Sequence, residues 1–459
     1  VEWKPKAYQR EALDWLIQKL ILSPESGAAL LLDPGLGKTS ITLAFFQTLK
    51  AMGLAKKMLI VAPLRVCHSV WPGELEKWDQ FRGLKAVFVN KPYKLESPAD
   101  IYLVNPESLH KVTQWIADKR KNPFEMLVVD ESSRFKSWGA VCSKLLRSII
   151  KTFRYRLALT GTPAPNSLED LFSQIYLVDL GKSLGQTITP FREKYFYRGG
   201  YGGYEWLPLD TSQAQIEARI APVCLRLAAK DHLDLPELVV SDIWVDLPKD
   251  TRKIYAQLEK ELFAELTSNL QIVALNAGAK YQKCKQIANG GFYHEGKAVH
   301  LHSEKIEALE ELVGELQGKP LLVAFQYKHD LERIQKVWPR IPFIDGTVSG
   351  KTSALTIDAW NAGLIQILAV QPQALSHGVN MQSGPGRDIA WLGLSDSLET
   401  WIQFNARIYR QGVTGQVRIH RILAAKTVDL VGLDNLEQKD ETQANLLEAL
   451  NRYREKLLT

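Results

Sequence analysis

The segment Leu30-Leu31-Leu32-Asp33-Pro34-Gly35-Leu36-Gly37-Lys38-Thr39-Ser40 constrains the fold of this chain more than any other. A short apolar run ends in a glycine-bearing turn, and Gly-Lys-Thr opens a stretch with helical spacing at Ile41, Leu43, Ala44 and Phe45. Strand, turn and helix in that order make half of a parallel βαβ unit. The glycines let backbone N–H groups point inward, and a helix N-terminus adds partial positive charge, so the turn suits a polyphosphate. Pro34, Gly35, Leu36, Gly37, Lys38, Thr39 and Ser40 are the candidates for that cradle, with ATP and Mg2+ the expected cofactors. Lys38 would reach the β- and γ-phosphates, and the Thr39 hydroxyl would ligate Mg2+. Leu32 stands where the eight-residue phosphate-loop pattern has its first glycine, so the turn should depart from the usual form.

A phosphate loop needs a carboxylate partner on a neighbouring strand. Met126-Leu127-Val128-Val129 runs into Asp130-Glu131, which places two acids at the carboxyl end of a buried strand, where parallel sheets bind ligands. Asp130 is expected to hold Mg2+ through its water shell, and Glu131 to orient and deprotonate the attacking water.

Further runs of the same kind recur at Met58–Ala62, Ile101–Val104 and Arg156–Leu159, then at Leu321–Phe325, Ile365–Val370, Asp388–Leu392 and Val417–Leu423. Strands buried on both faces read in this way, as continuous apolar segments. A helix is expected over residues 7–20, with Tyr8, Ala12, Leu13, Leu16, Ile17 and Leu20 on one face. Between about 166 and 300 the strand signal fades into helical text. The expected fold class is α/β: two parallel-sheet lobes with helical insertions. The expected domains are lobe 1 over 1–165, a helical and aromatic insertion of lobe 1 over 166–228, a connector and helical insertion over 229–300, and lobe 2 over 301–459.

The longest apolar runs have about five residues against the twenty or so of a membrane span, so no membrane partner is expected. Cys67, Cys142, Cys224 and Cys284 are too widely spaced for a zinc ribbon or a disulfide framework, which makes a reducing compartment and buried thiols the expectation. The net charge of +6 permits nucleic acid without demanding it. Residues 111–156 carry eleven Lys and Arg against four Asp and Glu, an excess of seven. That stretch, including Arg134 and Lys136, suits phosphate neutralisation or a solvated basic face. Phe191–Trp206 holds four tyrosines, two phenylalanines and four glycines, equally a DNA-contacting protrusion or an insertion packed on its own rings.

With those motifs in place, the chain from about residue 6 to residue 430 resembles the superfamily-two helicases, and within them the Swi/Snf-type DNA translocases, nearest to compact phage-encoded members. Tyr8-Gln9 resembles the adenine-reading glutamine motif, Leu59–Leu64 with Trp71 the next, and Leu103–Leu109 the one after. Leu159-Thr160-Gly161-Thr162-Pro163-Ala164-Pro165-Asn166 is similar to the TGTPxxN signature, and Ser376–Met381 to the Gly-rich segment of lobe 2 that contains Gly378. Gln403, Arg407, Arg410 and Gln411-Gly412 match the last motif, whose arginines the resemblance implies act on ATP held by lobe 1. At a spacing of three residues, the two guanidinium groups would share one helical face and suit charge building on a phosphoryl group.

The resemblance implies that the two are RecA-like parallel-sheet lobes with helical insertions, in a motor that hydrolyses ATP between them and moves along DNA, duplex or branched rather than RNA. Arg65, Asn105, Arg134, Lys136, Thr162 and Asn380 are the expected nucleic-acid contacts, and Gln9 and Gly378 join the nucleotide-binding set. It also implies a monomer in the cytoplasm (of the bacterial host, for a phage-encoded chain), with replication or recombination proteins as partners. The box after the strand reads Asp130-Glu131-Ser132-Ser133, with serine where relatives carry a histidine that links hydrolysis to the TGT motif. A nucleotide-gated DNA-binding scaffold with a degenerate engine, or an RNA-dependent ATPase, are the alternative readings.

Overall fold

A computed structural model of the chain describes residues 1–23, 27–161, 163, 167–199, 205–266, 272–375 and 379–438. The chain divides into two compact units, residues 1–197 with 206–234, and residues 235–459 with 198–205.

The first unit is built on seven parallel strands. In chain order they are β1 (Gly27–Leu32), β2 (Met58–Val61), β3 (Ala86–Phe88), β4 (Ile101–Val104), β5 (Met126–Asp130), β6 (Tyr155–Thr160) and, after a two-stranded ladder of β7 (Phe196–Gly199) and β8 (Glu205–Pro208), β9 (Cys224–Leu227). Across the sheet the order is β3-β4-β2-β5-β6-β1-β9. β1, β2, β4, β5 and β6 are buried along their whole length, which is why continuous apolar runs mark them. Gly27 opens β1 because a Cβ there would overlap the Val178 carbonyl. The same carbonyl accepts from Arg156 Nε at 2.9 Å, tying the helix Asp170–Asp179 to the sheet. Helix α1 (Ala7–Ile17) continues through one π turn at Gln18–Leu22 and buries Tyr8, Gln9, Ala12, Leu16 and Leu20.

The second unit carries six more parallel strands: β10 (Leu238–Val245), then, beyond a hairpin of β11 (Gly291–His294) and β12 (Lys297–His300), β13 (Leu321–Phe325), β14 (Phe343–Ile344), β15 (Ile367–Val370), β16 (Asp388–Leu392) and β17 (Val417–Ala424). Their order is β10-β17-β16-β13-β15-β14. Helices Lys249–Leu266 and Ile272–Asn289 make a helical segment between β10 and β11. A buried polar knot fastens it: Lys305 Nζ lies 2.5 Å from Asp429 Oδ2 and 2.9 Å from Asn289 Oδ1, while Asn289 Nδ2 reaches Asp330 at 3.1 Å.

Two boundaries need correction. Cys224–Leu227 lies within the expected helical insertion of 166–228, yet it is the edge strand of the first sheet, parallel to β1. Leu238–Val245, expected as connector, is an eight-residue edge strand paired with β17 from Leu238↔Val417 to Val245↔Ala424. The division therefore follows Asp234. Half-burial hides β10: Val240 and Trp244, four residues apart, are its exposed positions, so Leu-Val-Val-Ser-Asp-Ile-Trp-Val lacks the strict period of two that marks a half-buried strand. Among the described residues, no helix is long and apolar enough to cross a membrane. All four cysteines are free thiols, and burial pushes Cys67, Cys224 and Cys284 up to about 12.

Candidate functional site

β1 ends at Leu32, and the loop beyond it turns through Gly35 at φ 92° and Gly37 at φ 81°. Both lie in the left-handed region, which glycine enters without a Cβ clash. Gly37 is the N-cap of α2 (Lys38–Ala51), so the N-terminal end of that helix, with its partial positive charge, faces the loop. Lys38 Nζ donates to the Leu32 carbonyl at 2.6 Å, folding its charge over the loop. Gln9 braces the loop from α1: its Oε1 accepts from Lys6 N at 3.0 Å and its Nε2 donates to Leu36 O at 3.3 Å. A Cβ on Gly37 would strike that same Nε2. Thr39 is half-buried one residue into the helix, and Ser40 Oγ donates to Gly37 O at 3.0 Å. Asp33 fastens the turn to the end of β9, its N–H donating to Leu227 O at 3.2 Å and its carboxylate accepting from Ala229 N at 2.9 Å.

Because β5, β6 and β1 are adjacent and parallel, their carboxyl ends share one edge. Asp130 closes β5, Thr160 closes β6 and Leu32 closes β1. A Cβ on Gly161 would lie 3.1 Å from Pro34 Cδ and 3.3 Å from Leu32 O, so the Thr160-Gly161 turn packs directly on the phosphate loop. Asp130 is buried, with Trp71 Nε1 donating to Oδ2 at 2.9 Å and Glu131 N to Oδ1 at 3.0 Å. Burial first, and the neighbouring Glu131 charge second, raise its carboxyl from 3.8 to about 7, against the pull of Lys38. Glu131 itself sits at φ 52°, a conformation that residues with side chains rarely adopt and that clusters at functional sites.

A buried carboxylate held near neutrality suits an incoming divalent cation, whose charge replaces the proton. Among the described residues, no group of three or more His, Cys, Asp or Glu could hold a metal alone. Thr39 and Asp130 fit a Mg2+ that takes its other ligands from phosphate and water. Two members of the site carry no catalytic signature in the sequence. Trp71, 59 residues from Asp130, supplies the side-chain donor to that carboxylate. Ser132 Oγ donates to Gln174 Oε1 at 2.8 Å, and Gln174 Nε2 donates to Pro163 O at 2.5 Å and Asp170 O at 2.9 Å.

The expected nucleic-acid residues are partly occupied within the protein. Asn105 is buried and donates to Glu107 Oε2 at 2.6 Å, and Arg134 pairs with the same Glu107 at 3.5 Å. Lys136 pairs with Asp170 at 3.5 Å, and Arg65 is half-buried. Thr162 and Gly378 lie outside the described residues. In the basic stretch, Arg156 is buried and Arg147 stacks 3.6 Å from the Trp138 ring centroid, so both serve packing. Within the aromatic segment, Phe191, Tyr195 and Phe196 join a core with Phe172, which favours the compact reading for those rings. Residues 200–204 of that segment lie outside the described set.

In the second unit, the expectation that Arg407 and Arg410 share a helical face is corrected. The helix Leu398–Asn405 ends before them, and both lie in turns. Asn405 Oδ1 accepts from Trp391 Nε1 at 3.0 Å, and the Arg407 carbonyl accepts from Met381 N at 3.0 Å, which draws the chain out of the helix. Arg407 Nη1 then donates to Val379 O at 3.2 Å, and Arg410 Nη1 bonds Asn380 Oδ1. Both arginines thus meet the segment that contains Asn380.

A family model described as the SNF2-related domain matches residues 8–298. Protein p41 of Acyrthosiphon pisum secondary endosymbiont phage 1 is 36% identical over 440 residues, 91% of this chain and 94% of that protein. The uncharacterized ATP-dependent helicase MG018 of Mycoplasma genitalium is 24% identical over 98% of this chain, which spans 43% of its length. The Arabidopsis thaliana CHD3-type chromatin-remodeling factor PICKLE is also 24% identical, with 33% of its length spanned. Among solved structures, the Sulfolobus solfataricus SWI2/SNF2 ATPase core in complex with dsDNA is 20% identical, covering 100% of this chain and 96% of that one at a TM-score of 0.45.

Proposed function

The chain belongs to the SNF2-related family of ATP-hydrolysing enzymes, and we propose that it is a DNA translocase that spends ATP at the phosphate loop of its first unit to move along duplex or branched DNA. The observation that carries this reading is the meeting, on one sheet edge, of the Gly35–Thr39 loop, the buried Asp130 and Glu131 in its constrained backbone. Lys38 and the α2 N-terminus bind and orient the phosphates. Mg2+, when bound, would offset phosphate charge, held by Thr39 and, through its water shell, by Asp130. Trp71 and the Glu131 N–H keep Asp130 aimed, and Glu131 takes the proton of the attacking water. Arg407 and Arg410 would supply positive charge for phosphoryl transfer, a role resting on the match of Gln403, Arg407, Arg410 and Gln411-Gly412 to the last motif. Contacts from Arg65, Arg134, Lys136, Asn105, Thr162 and Asn380 to the sugar–phosphate backbone would be independent of sequence and weakened by salt. The relatives' names, an ATP-dependent helicase and a chromatin-remodeling factor, support the same class.

The test is ATP turnover with duplex DNA, single-stranded DNA and RNA compared side by side, with triplex displacement beside strand separation to read movement. Duplex DNA should stimulate turnover most. Lys38→Ala and Glu131→Gln should each lower it by about a thousandfold or more. Wild-type turnover by Glu131→Gln would refute the assigned chemistry.

A further inference from the structure

Gln174 lies on the helix Asp170–Asp179 and is 3% exposed. Its amide joins three backbone segments, through Ser132 Oγ at 2.8 Å, Pro163 O at 2.5 Å and Asp170 O at 2.9 Å. Two carbonyls can face only the amide nitrogen, and the Ser132 hydroxyl supplies the hydrogen that Oε1 accepts, so the partners fix the amide's orientation. Each partner adjoins a part of the site. Ser132 directly follows Glu131, Pro163 directly follows the expected nucleic-acid contact Thr162, and Asp170 pairs with Lys136. A buried amide is costly to hold unless its bonds are made together, and together they act as a stiff link.

We infer that Gln174 is a positioning residue that carries nucleic-acid engagement at the Pro163 segment to Glu131. This rests on the translocase reading above. Glu131 occupies a left-handed backbone conformation at φ 52°, which its surroundings must hold in place. Ser132, 1% exposed, is the nearest anchor on its carboxyl side. A shift at Pro163 alters the Gln174 amide, the amide alters the Ser132 anchor, and the carboxylate one residue away changes its aim at the attacking water.

The experiment compares wild type, Gln174→Leu, Ser132→Ala and the double variant for ATP turnover with and without duplex DNA, alongside thermal melts. The ratio of DNA-stimulated to basal kcat should fall about tenfold in both single variants, with the KM for ATP within about twofold of wild type. The double variant should be no worse than Gln174→Leu, because both changes break one connection. Ser132→Ala removes a single oxygen and keeps the test open if Gln174→Leu fails to fold, and Ser132→Thr should retain stimulation. Wild-type stimulation ratios in Gln174→Leu and Ser132→Ala would overturn the inference, as would equal loss of basal and stimulated rates. Absence of DNA-stimulated turnover in wild type is a separate outcome, which refutes the translocase reading itself.

Discussion

Trp71→Phe isolates one bond at the centre of the site. Trp71 is fully buried, and its Nε1 lies 2.9 Å from Asp130 Oδ2. The substitution keeps an aromatic ring in place and removes that donor. A hydrogen bond to a charged group contributes about 1.5–3 kcal/mol, and the Asp130 carboxyl already sits near 7 because of burial and Glu131. Losing the donor disfavours the carboxylate that must meet the cation. The Mg2+ concentration for half-maximal ATP turnover should therefore rise by about 10- to 150-fold. The assay is a Mg2+ titration of turnover at saturating ATP, with a thermal melt of each protein. Trp360→Phe is the control: Trp360 is 1% exposed and its Nε1 has no partner among the described residues. It should lower stability through lost packing and leave the Mg2+ midpoint unchanged. A folded Trp71→Phe protein with the wild-type midpoint would refute the reasoning, because the bond would then have no part in presenting Asp130.

Lys305 is 0% exposed and pairs with Asp429 at 2.5 Å, so Lys305→Met strands a buried carboxylate and should cost about 3–5 kcal/mol in urea unfolding of the second unit. Adding Asp429→Asn should return most of that loss, and a single-variant cost below about 1 kcal/mol would contradict the pairing. His302 is buried, and its imidazole is lowered from 6.5 to about 4, chiefly by burial. The unfolded chain therefore binds the extra proton between those values. Its contribution is complete above about pH 6.5 and is lost as the pH falls towards 4, to a limit of roughly 3 kcal/mol. Denaturation midpoints across that window should fall in wild type and fall less in His302→Gln.

The strands that hold the nucleotide site were the most legible part of the chain. β1 and β5 are buried on both faces, so Ala28–Leu32 and Met126–Val129 read as unbroken apolar runs, and the glycines and acids beyond them mark the loops. β9 and β10 were not legible, because Cys-Leu-Arg-Leu is short and β10 is half-buried along most of its length without a period of two. Spacing gave Arg407 and Arg410 a helix that Asn405 and the Arg407 carbonyl do not allow, since both are engaged by groups remote in sequence. Trp71 beside Asp130 and Gln174 beside Ser132 are contacts across 59 and 42 residues. No local pattern encodes such pairs, which exist only once the sheet has brought its loops to one edge.

The pairing of β10 with β17 sets an order of events during synthesis. Ser241 and His420 face each other across the ladder 179 residues apart in the chain. At about 5–20 residues per second, β10 leaves the ribosome on the order of ten to forty seconds before its partner. Until then its unpaired backbone edge is open to any other strand, and its apolar Val240 and Trp244 are still 43% and 45% exposed in the finished fold. A nascent chain stopped anywhere between those two strands would be a poor candidate for rescue by refolding and a good substrate for chaperones, whatever the state of the completed first unit.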